Sequence, residues 1–137
     1  TDTLDFSAAG LDSSAGWLFK VDLTDPEARF MAAARLTLNS GNPAILKMLS
    51  GAKDAGTGQL LKTLNWDITR QMTIAALNSD DVLALEMDPE ATSVAGVLRN
   101  LLARIWPGVS PSTLHQWLVN DPSRIEARIQ HSAKLVD

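Results

Sequence analysis

Cysteine is absent from this chain, and so is tyrosine. Without a thiol there can be no disulfide, no thiolate metal site and no cysteine nucleophile, and the composition fits the cytosol. Long apolar runs are missing too, and the stretches present fall far short of the ~20 residues that cross a bilayer. The amino end, Thr1-Asp2-Thr3-Leu4-Asp5, is acidic and has no apolar signal region. It does not begin with Met, which suits excision from a larger polypeptide. Positive charge is scarce: the formal net charge is −4, which disfavours broad binding to nucleic acid.

Motifs of catalysis are equally thin. Serines are numerous, but none stands in a G-x-S-x-G elbow. Gly56-Thr57-Gly58 with Lys62 nearby lacks the G-x-x-x-x-G-K-[ST] spacing of a phosphate loop. His115 and His131 are the only histidines, and neither has Asp or Glu at i+3 or i+4, so they make poor zinc ligands. No metal and no cofactor is expected. An enzyme would need carboxylates and serines that meet only in three dimensions.

What the chain does have is punctuation. Asp25-Pro26, Asn42-Pro43, Asp88-Pro89, Ser110-Pro111 and Asp121-Pro122 each place a capping residue before a proline. Asp, Asn and Ser accept hydrogen bonds from a first helical turn, and proline at N1 gives up an N–H that would have no helical partner. The spacing predicts short helices separated by tight joints. Residues 1–16, rich in Asp, Ser, Ala and Gly with Leu4, Phe6 and Leu11 as anchors, read as an extended arm. Residues 17–137 read as a single mostly helical domain.

Trp17 to Leu23 alternates, with Trp17, Phe19, Val21 and Leu23 on one face, and predicts a strand. Thr24-Asp25-Pro26-Glu27 has the form of a capping box opening a helix to about Arg35, while Leu36-Thr37-Leu38 is strand-like. The competing reading of 25–39 is a turn and a returning strand. Asn42-Pro43 starts a helix over 44–49, and 51–58 reads as a flexible joint. A long helix over 58–79 carries Leu61, Leu64, Ile68, Met72 and Ala75 as its core stripe. Residues 82–87 suit a helical turn or a short strand. A second strong helix spans 93–106, capped by Thr92 or Ser93, and shorter ones follow Ser110-Pro111 and Asp121-Pro122.

The expected fold is therefore mainly α, a bundle of four to six short helices with a small amino-terminal β element. It becomes α+β if 34–39 or 82–87 pairs with 17–23. A second copy of the chain is the third candidate partner for that strand, since an unpaired strand leaves backbone groups unsatisfied.

Two constellations stand out. Trp17, Trp66 and Trp117 are candidate anchors for a protein partner, Trp66 because it lies off the leucine stripe beside Asn65 and Arg70. Residues 1–89 hold 7 Lys and Arg against 12 Asp and Glu, whereas 90–137 hold 5 against 4. Arg99, Arg104, Arg124 and Arg128, with Lys134 further along, are accordingly candidates for contact with an anion or nucleic acid. The helix-break-helix over 110–135 has the outline of a DNA-binding pair but not its small regular turn, and Glu126 interrupts the arginines. The leading expectation is a protein–protein interaction or assembly module belonging to a larger protein or complex. Its partner would be another protein or a second copy, and no membrane is involved. A nucleic-acid-binding module is the alternative.

Overall fold

The computed structural model describes residues 1–84 and 88–136. Within them run β1 (Asp2–Leu4), β2 (Trp17–Val21), α1 (Phe30–Ala33), β3 (Ala34–Asn39), α2 (Pro43–Leu49), α3 (Ala55–Leu77), α4 (Asp80–Leu83), α5 (Val94–Ile105), α6 (Pro111–Asn120) and α7 (Pro122–Ala133). The chain is mainly helical, with a three-stranded sheet at its amino end in the order β1-β3-β2.

β3 is the partner that β2 required: they pair antiparallel, with Trp17 opposite Leu38 and Val21 opposite Ala34. Of the two readings of 25–39, the returning strand holds for 34–39, and the helix shrinks to the single turn of α1. The capping box does not form. Asp22, not Thr24, takes the local hydrogen bonds, accepting from the Thr24 N–H at 2.9 Å and the Thr24 hydroxyl at 2.7 Å. These bonds favour the charged carboxylate and lower the Asp22 pKa.

Residues 26–30 instead run beside the start of α5. The carbonyls of Ala28 and Pro26 accept from the Val94 and Ala95 N–H groups at 2.8 and 3.0 Å. They satisfy donors that a helix start leaves orphaned. Tertiary pairing thus overrides a local helix signal. Gly96 lets the backbone of Glu90 and Ala91 lie against the first turn of α5, because a Cβ there would overlap the Glu90 carbonyl. The segment 82–87, the other candidate strand, is helical through Leu83, and 85–87 lie outside the described residues.

The amino-terminal 16 residues are woven into the sheet. β1 pairs parallel with β3, Phe6 is fully buried, and Asn39 ties the loop between them. Its Oδ1 accepts from the Phe6 and Gly41 N–H groups at 3.1 and 2.9 Å. Its Nδ2 donates to the Ser13 and Ala15 carbonyls at 3.1 and 2.7 Å. All four hydrogen-bonding positions of a buried amide are used.

α2 starts as expected, with the Asn42 side chain accepting from the Ala44 and Ile45 N–H groups and Pro43 in the first turn. Pro111 and Pro122 also open helices, but Asp25-Pro26 and Asp88-Pro89 do not. α3 begins earlier than expected, at Ala55, because Asp54 caps it by accepting from the Thr57 N–H at 3.0 Å. That bond and Lys47, 3.0 Å away, hold the Asp54 carboxyl far below the usual carboxylate range. Its stabilising contribution is present above the ordinary carboxylate pKa and is lost as pH falls through the lowered value.

α3 serves two cores. Leu60, Leu64 and Ile68 pack with Trp17, Leu36, Leu38, Ile45 and Met48 under the sheet and α2. Trp66, Met72, Ala76 and Leu77 join the larger helical core with Val94, Leu98, Leu102, Leu114, Ile125 and Ile129. Leu61, expected in the stripe, is 49% exposed: α2 covers the face centred on Leu60 and Leu64, about 100° around the helix.

Asn39→Ala removes four bonds at once and leaves buried N–H and C=O groups unpaired. It is expected to cost about 3 kcal/mol in urea unfolding. A change below about 1 kcal/mol would show that the lead-in contributes little to the fold.

Candidate cationic cleft and the tryptophan positions

The three candidate tryptophans are half-buried and spend themselves on the chain's own packing. The Trp17 Nε1–H donates to Asp67 Oδ2 at 2.7 Å, joining β2 to α3, and Gln71 Nε2 reaches the same oxygen at 2.8 Å. Trp66 packs on the helical core, as does Trp117. The Arg124 guanidinium lies over the Trp117 ring, 3.6 Å from its centroid. The Trp66 Nε1–H is buried and has no hydrogen-bond partner among the described residues.

The four candidate arginines do not share a surface. Arg99 sends Nη1 to the Val82 carbonyl at 3.3 Å, and Arg124 is the cation stacked on Trp117. Only Arg104 and Arg128 come together. They line a cleft of about 560 Å³ where α3, α5 and α7 meet, with Asn65, Thr69, His131 and Lys134 among the other lining residues. No carboxylate of the described residues lines it. Glu126, which interrupts the arginines in sequence, is held by the Arg70 Nε–H of α3 at 2.8 Å.

Each cleft residue has a local reason for its place. Asn65 and Thr69 are four apart on α3, so they share a face between the two that pack. Arg104 stands in the last turn of α5. Arg128 Nε donates to the Ile105 carbonyl at 2.9 Å, at the end of α5, where a cation complements the helix dipole. Lys134 ends α7 in the left-handed region at φ 51°, the only non-glycine residue with positive φ among the described residues.

Sequence reasoning found Arg104 and Arg128 but missed Asn65 and Thr69, whose i, i+4 spacing off the leucine stripe was the available signal. It read His131 as a partly exposed helix-surface residue, and His131 is indeed exposed while also lining the cleft. His115 is elsewhere, its Nδ1 2.6 Å from the Leu77 carbonyl. Among the described residues no cluster of three or more His, Asp or Glu could hold a metal ion. Among the described residues Asp22 and Asp54 are the carboxyls whose pKa clearly moves, and both move down, as caps do.

No helix of the described residues is long and apolar enough to cross a membrane. Comparison of the chain with protein families, curated proteins and solved structures finds no match.

Trp66→Phe deletes the partnerless N–H while keeping an aromatic ring in the core. It is expected to leave unfolding free energy within about 1 kcal/mol of the parent. A loss of several kcal/mol would show that the indole N–H has a partner.

Proposed function

We propose that this chain is an assembly module that joins a second copy of itself through the open edge of β2. The observation that carries this reading is the hydrogen-bonding phase of the strand. Asn39 N–H donates to the Gly16 carbonyl and Asp22 N–H to the Ala33 carbonyl, so the alternate residues Leu18 and Lys20 face β3. The backbone groups of Trp17, Phe19 and Val21 then point away from the sheet. They have no partner among the described residues.

Such an edge is a template for another strand. An antiparallel pairing centred on Phe19 suits a second copy. All three outward residues would then bond, and Lys20 would lie opposite Leu18 of the copy rather than opposite another lysine. On the strand itself Leu18 is a large hydrophobic side chain left 37% exposed. Membership of a larger complex is compatible with the same edge.

Light scattering on the purified chain is expected to give twice the monomer mass. Leu18→Lys sets lysines opposite each other across the pairing while altering a solvent-facing position, and it is expected to yield folded monomer. A parent chain that stays monomeric at its highest working concentration overturns the reading, as does a dimer that Leu18→Lys leaves intact.

A further inference from the structure

We infer that the cleft between α3, α5 and α7 is a binding site for the phosphoryl group of a small phosphorylated molecule. This is independent of the β2 edge and draws on different residues. The cleft gathers Arg104, Arg128 and Lys134 from two helix ends, with His131, Asn65 and Thr69 as further hydrogen-bonding groups. Among the described residues no Asp or Glu lines it to neutralise these cations. The nearest acid along α7, Glu126, is already engaged by Arg70 at 2.8 Å.

The arginine is also oriented. Arg128 spends Nε on the Ile105 carbonyl at 2.9 Å, which fixes the plane of its guanidinium and leaves both terminal amino groups to donate. A planar fork with two parallel donors matches a phosphoryl group better than it matches a halide. At the rim, Lys134 ends α7 as its left-handed cap at φ 51°.

The charge geometry selects a compact ligand. The whole chain is net negative at −4, and three of its 12 Lys and Arg residues meet in this concavity. A duplex would need a stripe of cations, yet Arg99 is turned to the Val82 carbonyl and Arg124 is stacked on Trp117. One anionic group of a small molecule is what three converging, solvent-facing cations can hold.

The test is calorimetric titration of the full chain with inorganic pyrophosphate at low salt. Amide NMR shifts would be followed at Asn65 and Thr69 in parallel. Saturable binding is expected, with those amides moving. Arg104→Gln and Lys134→Asn should each weaken it about tenfold, the size of one charge-assisted hydrogen bond lost. Asn suits the left-handed backbone at 134, and Arg104 forms no ion pair or hydrogen bond among the described residues, so both variants should fold. Arg124→Gln lies outside the cleft and should bind as the parent does. Absence of saturable binding overturns the site. So does equal weakening by Arg124→Gln. Binding restricted to oligonucleotides, with Arg99 and Arg124 contributing, would replace the small ligand by a nucleic-acid backbone.

Discussion

Everything in this fold hangs on the demand that one helix, α3, be buried on two sides. Its 23 residues present Leu60, Leu64 and Ile68 to the sheet and α2, and Trp66, Met72, Ala76 and Leu77 to the helical core. Neither core would close without it. Burial of apolar area at roughly 25 cal/mol per Å² is what drives both sets together. The polar side chains of α3 then fasten the halves: Asp67 receives the Trp17 indole from the sheet, and Arg70 holds Glu126 of α7. The face left between the packed ones carries Asn65 and Thr69 and becomes a wall of the cationic cleft.

This division gives the molecule two surfaces of different character. At the amino end the sheet offers a strand whose alternate backbone groups face outward. At the carboxy end the helix termini gather cations around a concavity that no carboxylate of the described residues lines. A helix end attracts positive side chains in any case, because its carbonyls are the negative pole of the dipole. What makes the cleft more than capping is the convergence of two such ends on one polar face of α3. The β2 edge proposed for assembly and the cleft proposed for anion binding lie in separate parts of the chain, so one can be altered by mutation while the other remains.

Much of this was legible in the residues themselves. The alternation of Trp17 to Val21, the Asn42 and Ser93 caps and the 3.6-residue period of α5 each report a local preference that the fold kept. The failures have a common cause. Thr24 to Glu27 carries a helix signal, but its carbonyls are wanted by the start of α5, some 70 residues on. The lead-in looked like an arm because no periodicity announces that a single amide, Asn39, will bind four of its neighbours. Leu61 belonged to an apolar stripe by spacing, yet the angle at which α2 lies across α3 left it at the surface. Of the site, the arginines were visible as charge in an otherwise acidic chain. Which of them meet was not, since Arg99 and Arg124 are captured by contacts that only the tertiary structure creates.

Amide hydrogen exchange along β2, followed by NMR at high and at low protein concentration, tests the central claim most directly. Leu18 and Lys20, bonded within the chain to β3, should exchange slowly at both. Trp17, Phe19 and Val21 should be protected at high concentration and lose that protection on dilution, since only a second copy can hold them. Rapid exchange of these three amides at every concentration would contradict the account.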